Sequence, residues 1–194
     1  MSEKTENRPP ADSRDGAVAY RIDSDNLVTA VNEAWCAFAD ANQGEHLQPP
    51  EVIGKCLWDL LSDEASREIY ATLLKRVRDG FGPLRFPLRC DAPEWMRQLT
   101  ATIRMIDDAE VEFRFQPVSV RHRAAVPLLD VQRDRDSVYL TICGWCCKVP
   151  MTDGRWLEIE DACRELSILE EDSPPQLTHG ICSACSEAML ALVS

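Results

Sequence analysis

The chain has 194 residues, 45% of them hydrophobic, with a formal net charge of −12. That length accommodates one ordinary domain and something small beside it. The charge repels phosphate backbones and argues against nucleic acid as a partner, and no apolar run is long enough to span a bilayer.

Residues 1–16 are polar, carry Pro9 and Pro10, and read as a disordered lead without the apolar stretch of a secretory signal. The expected location is therefore the cytoplasm, where thiols stay reduced and nine cysteines point to metal or redox chemistry rather than disulfides. Ala17 to Ile22 and Leu27 to Val31 alternate as two strands, and Asp23 to Asn26 forms the turn between them. Asn32 caps a helix that carries Trp35, Phe38 and Ala39 on one stripe. Gly44 and Pro49-Pro50 punctuate a loop, and Trp58 to Leu61 is a short turn. Ser62 or Asp63 caps a longer helix to Arg78, with Ile69, Leu73, Leu74 and Val77 on its apolar face and Asp79-Gly80 at its end. The period then switches to two. Pro83 to Cys90, Met96 to Met105 and Val111 to Val120 read as three hairpin-linked strands.

Two strands, several helices and three strands in roughly 105 residues resemble a PAS sensor domain. The residues that carry the resemblance are Tyr20-Arg21-Ile22-Asp23, Leu27-Val28, Val31-Asn32-Glu33-Ala34-Trp35, Val52-Ile53-Gly54-Lys55 with Leu57-Trp58-Asp59, and Phe86 to Pro93. The last of these is similar to the Arg-Cys-Asp hairpin of a bacterial subgroup. The resemblance implies an α+β fold in which a five-stranded antiparallel sheet carries helices on one face. It also implies a sensor interior able to hold a ligand, here a pocket of Trp35, Phe38, Trp58, Tyr70 and Phe86. The competing reading of these aromatics is a filled core. The helix from Asp63 to Arg78 has no His to serve as an axial haem ligand, and Cys56 does not match the motif of flavin photosensors. The identity of any PAS ligand stays open.

The segment 121–136 mixes Arg with Asp130, Asp134 and Asp136 and reads as a solvated linker. Beyond it lies the most specific motif of the chain. Cys143-x2-Cys146 and Cys182-x2-Cys185 are separated by 35 residues. Each C-x2-C turn aims two thiolates at one ion, and two turns close a tetrahedral site of the kind zinc fills. A segment of roughly 55 residues buries too little surface to fold unaided, and metals supply the difference. Spacing alone leaves an iron–sulfur cluster open. His179 is the alternative ligand, with a capping role as its simpler reading. Cys147 should point away, and Cys36, Cys56, Cys90 and Cys163 should pack as apolar groups. Val138 to Ile142 is predicted to be a strand, Trp156 to Leu169 an amphipathic helix, and Cys185 to Val193 a closing helix. The acidic run Glu158, Glu160, Asp161, Glu165, Glu170, Glu171 reads as a solvated face. This tail is similar to a small Cys-rich module appended to bacterial receiver or PAS proteins.

The sequence thus predicts a PAS-like sensor domain over 17–120, a linker over 121–136 and a zinc-stapled α/β module over 137–194. No catalytic constellation is present, and four thiolates leave no open metal position, so no enzyme activity is expected. The expected output is protein–protein contact, including a homodimer through the PAS domain and an unidentified signalling partner. The alternatives are a thiol redox sensor that releases its metal on oxidation, and a sensor of a small molecule.

Overall fold

The structure is a computed structural model that describes residues 16–42, 44–61, 63–168 and 173–193. The expected N-terminal lead therefore falls, except for Gly16, outside the described residues. Strands β1 (Val18–Ile22) and β2 (Val28–Val31) form the opening hairpin. The Asp23 carboxylate makes its turn by accepting from the N–H groups of Asp25 and Leu27, each at 2.9 Å.

Helix α1 (Glu33–Ala41) starts at Asn32. Its Oδ1 accepts from Trp35 N at 2.9 Å and Ala19 N at 3.0 Å, while its amide donates to Ala17 O at 2.7 Å. One side chain thus caps the helix and ties it to β1. The loop expected around Pro49-Pro50 is instead helix α2 (Pro49–Val52), preceded by a 3₁₀ turn over Glu45–Leu47. Proline suits the first helical positions, where no N–H is needed and its fixed φ is already helical. Helix α3 (Leu57–Leu60) follows, then α4 (Glu64–Arg78), capped by Asp63 accepting from Ser66 N at 2.7 Å.

Strands β3 (Leu84–Arg89), β4 (Trp95–Met105) and β5 (Val111–His122) complete a five-stranded sheet of order β2-β1-β5-β4-β3, antiparallel throughout. Its inner face, with Ile22, Val28, Phe86, Ala101, Ile103 and Phe113, packs against Ile69, Leu73, Leu74 and Val77 of α4. Each fully buried aliphatic side chain contributes about 1.5–3 kcal/mol, so the α4 stripe is a main source of stability. This is the α+β sheet-and-helix architecture that the resemblance implies, with β5 running on to His122.

The C-terminal part is built on β6 (Tyr139–Cys143) and β9 (Gln176–Gly180), which pair in parallel. A second pair joins β7 (Val149–Pro150) to β8 (Trp156–Leu157), with α5 (Ile159–Glu165) and α6 (Ser183–Ala191) beside them. The single helix expected from Trp156 is thus corrected. Trp156 and Leu157 pair with β7, Glu158 stays extended, and only Ile159–Glu165 is helical. Leu169 lies outside the described residues. The segment expected to be a solvated linker contributes Val126 and Leu128, 2% and 0% exposed, to a second core with Ile142, Val149, Ile159 and Cys163. The first core does not stop at the sheet. It continues into Cys143, Trp145, Cys182 and Met189, so the two parts share buried surface.

Candidate metal centre and cavity

Parallel pairing sets Ile142 opposite His179 and Cys143 opposite Gly180, which brings the two cysteine pairs to the same end of the β6–β9 ladder. Cys143 ends β6, Cys146 follows in the turn, Cys182 is the N-cap of α6, and Cys185 lies in its first turn. Gly144 N donates to Gly180 O at 2.9 Å and fastens the turn to β9. A Cβ at Gly180 would come within 3.1 Å of the Thr141 methyl, so a side chain there would crowd the ladder.

The four Sγ atoms lie within 4.8 Å of one another, and Cys146 and Cys182 are 3.8 Å apart. Four thiolates at a zinc–sulfur distance near 2.3 Å would sit about 3.8 Å apart along the tetrahedron edge. Backbone N–H groups already serve the sulfurs: Cys182 N reaches Cys143 Sγ and Cys185 N reaches Cys182 Sγ, both at 3.4 Å. The Cys146 thiol donates to Cys143, and this bond, helped by backbone N–H groups, pulls Cys143 down to about 4. The same bond and burial push Cys146 up, and burial pushes Cys185 up to about 12. Without a cation Cys143 is the thiolate, while the hydrogen bond to it holds Cys146 protonated and burial does the same for Cys185. Distances and donor set therefore fit a thiolate-bound metal ion.

His179 is exposed on β9 and is outside the four-sulfur cluster. Cys147 is buried and turned away, its thiol facing Arg89 O at 3.8 Å, and burial pushes its pKa up to about 12. Cys163 is buried in the second core. Cys36 and Cys56 are half-buried.

A cavity of 280 Å³ lies between the sheet and α1. Trp35, Phe38 and Tyr70 line it, with Leu88, Leu99 and Phe115 from the sheet and Cys90 and Arg97 at its polar end. Two of the five expected pocket residues are elsewhere. Phe86 is 3% exposed inside the closed core, and Leu88, two residues further along the same face of β3, takes its place. Trp58 lines an outer groove with Glu64, Arg67 and Glu68. Alternation along β3 to β5 could have pointed to Leu88, Leu99 and Phe115. One wall residue had no sequence signal: Gly144, from within the first cysteine pair.

Contacts around that glycine join the two parts. Trp145 packs on Tyr70 with ring centroids 5.7 Å apart, and Trp145 O accepts from Arg89 N at 2.8 Å. The Asp91 side chain is fully buried between Arg89 and Arg123, which lies at 3.0 Å. Arg89 also pairs with Glu158, and Arg123 pairs with Glu160 at 2.5 Å. Two carboxylates expected on a solvated face thus clamp the β3–β4 hairpin to α5. Burial works against the Arg89 charge, but Asp91 and Glu158 outweigh it and hold its pKa above the ordinary value.

No protein-family model matches the chain, and no curated protein matches it. Similar solved structures include a domain of an HTR-like protein from Haloarcula marismortui, at 14% identity over 53% of this chain and 98% of that one, TM-score 0.37. Another is the Cronobacter turicensis RpfR quorum-sensing receptor PAS domain in complex with C12:0, at 13% identity over 55% of this chain and 98% of that one, TM-score 0.37. A third is a sensory box sensor histidine kinase from Vibrio cholerae, at 10% identity over 55% of this chain and 84% of that one, TM-score 0.38. Among the described residues no helix is long and apolar enough to cross a membrane.

Proposed function

We propose that the chain is a signal sensor whose cavity takes a small apolar or amphipathic molecule, and whose Cys143, Cys146, Cys182 and Cys185 hold a structural zinc ion. The observation that carries this reading is the position of Gly144. It belongs both to the turn between two cysteine ligands and to the wall of the cavity. A ligand that presses on that wall shifts the C-terminal module, and metal loss removes the wall. Closed coordination by four thiolates supplies folding energy and leaves no position for a substrate, so the role is non-enzymatic. Output passes through protein contacts, including a homodimer formed by the sensor half, as a shift between two populations that the ligand binds unequally.

The test is binding of the apolar fluorophore 1-aminoanthracene to the zinc-loaded protein. A saturable gain in emission is expected. Leu99→Trp, which places an indole in the cavity, should abolish it, and removing the metal with a chelator should weaken it. Equal binding in Leu99→Trp, or affinity indifferent to chelation, would reject the reading.

A further inference from the structure

The cavity lies on one face of the five-stranded sheet, and the opposite face carries a charge of the wrong sign for this chain. Leu88, Leu99, Phe115 and Val120 line the cavity, so strand alternation turns Arg85, Thr102, Arg114 and Arg121 outward. Cross-strand pairing sets Arg85, Thr102 and Arg114 in one row, which places the two arginines two strand spacings apart, about 10 Å. Arg121 pairs with Met96 and lies about 20 Å further along β5. All three arginines are exposed, and none makes an ion pair or hydrogen bond among the described residues. The one acid at the outer positions of β3, β4 and β5 is Glu112, which is 6% exposed and committed to Arg104 at 2.7 Å.

Three uncompensated cations thus share a face of a chain whose net charge is −12. An exposed patch of one sign steers and orients a partner of the opposite sign. The extent of the strip selects that partner. Exposed Asp107 and Asp108 bound it at the β4–β5 turn, and exposed Glu94 bounds it at the β3–β4 turn. A bilayer or a nucleic-acid duplex reaches past the strip and meets this negative charge. A second copy docked face to face would set arginine against arginine. A short acidic polypeptide fits within the bounds. About six extended residues span 20 Å and carry carboxylates to the arginines at both ends.

We propose that the outer face of β3–β5 docks an acidic segment of a partner protein, with Arg85, Arg114 and Arg121 as its carboxylate-binding groups. This names the partner chemistry for the output through protein contacts and rests on that reading for its role in signalling. Phe115 lines the cavity while its chain neighbours Arg114 and Gln116 face the partner, so one strand presents both surfaces. Docking itself needs no cavity ligand, so its failure and a failure of fluorophore binding are separate results.

The probe is rhodamine-labelled octaglutamate, added to the full, zinc-loaded chain and followed by fluorescence anisotropy. Saturable binding is expected, with octaglutamine about 10-fold weaker or more. Arg85→Glu combined with Arg114→Glu should weaken octaglutamate about 10-fold or more. Both side chains are exposed, so ellipticity and bound metal should stay at wild-type values. Arg85→Lys combined with Arg114→Lys keeps the charge and should stay within about 3-fold of wild type. Wild-type affinity in the folded double-Glu variant, or octaglutamine binding as tightly as octaglutamate, would overturn the proposal. So would tighter binding of an oligothymidylate or of phosphatidylserine vesicles, which would assign the face to nucleic acid or membrane. A homodimer that dissociates in the double-Glu variant on sedimentation would overturn it too, by assigning the face to a second copy.

Discussion

Replacing Asp91 with Asn removes one charge from the buried cluster that clamps the five-stranded sheet to the C-terminal module. The Asp91 side chain has no exposed surface. It pairs with Arg89 and Arg123 and accepts from Arg97 N at 3.1 Å. Those arginines are themselves only 12% and 9% exposed, so the substitution leaves two desolvated cations short of a partner. Removing one member of a buried ion pair costs about 3–5 kcal/mol. Glu158 and Glu160 remain to serve Arg89 and Arg123, but they are 44% and 29% exposed and sit nearer to water. The expected loss is therefore at the low end, about 3 kcal/mol. With a urea m-value of about 2–3 kcal/mol/M, the unfolding midpoint should fall by about 1 M or more. Urea titration followed by tryptophan emission and far-ultraviolet ellipticity reads this directly. The exposed Asp108→Asn serves as control and should stay within about 0.5 kcal/mol. A loss below about 1 kcal/mol for Asp91→Asn would refute the view that this cluster is a buried, mutually dependent network.

Cys182→Ser should lower bound metal to well under one ion per chain by elemental analysis and expose the β9–α6 segment to proteolysis, because Cys182 joins the sulfur cluster while the serine still caps α6. Full metal occupancy in that variant would remove it from the ligand set. At alkaline pH two half-buried tyrosines add to the buried Cys147 and Cys163: burial pushes Tyr70 up to about 12 and raises Tyr20 well above its ordinary value. The unfolded chain releases these protons near pH 10 and the folded chain does not, so stability should fall from pH 10 upward, by up to about 1.4 kcal/mol per pH unit for each group. Tyr70→Phe should flatten that slope in urea midpoints measured at pH 9 to 11.5, and an unchanged slope would contradict the assignment. Leu73→Ala, at a residue 1% exposed on the α4 stripe, should cost about 2–5 kcal/mol in the same urea assay.

What could be read from the sequence was local and periodic. The hairpin around Asp23, the Asn32 and Asp63 caps, the α4 stripe and the three long strands each follow from rules that act over a few residues. The C-x2-C pairs were legible because that spacing lets two thiols in one turn face a common point, and the four sulfurs do converge. What the sequence hid depends on contacts between distant segments. Gln176–Gly180 is a strand because β6 offers it a parallel partner, a preference that five residues containing His and Gly do not announce. Glu158, Glu160 and Arg123 look solvated in a row of charges, and only the approach of Asp91 and Arg89 makes them partners. Val126 and Leu128 sit among arginines and aspartates, yet the second core takes both. Gly144 has no side chain to signal that its backbone closes a cavity.

The central claim is that the cysteine-bearing turn and the core of the five-stranded sheet are one body, so the metal state is felt inside the cavity. Amide hydrogen exchange of the zinc-loaded protein, compared with the chelated protein, tests this most directly. The account predicts faster exchange on metal removal at two places: the β6–β9 ladder with α6, and the residues of α4 and β3 around Tyr70 and Leu88. An increase confined to 139–193, with α4 and β3 unchanged, would contradict it.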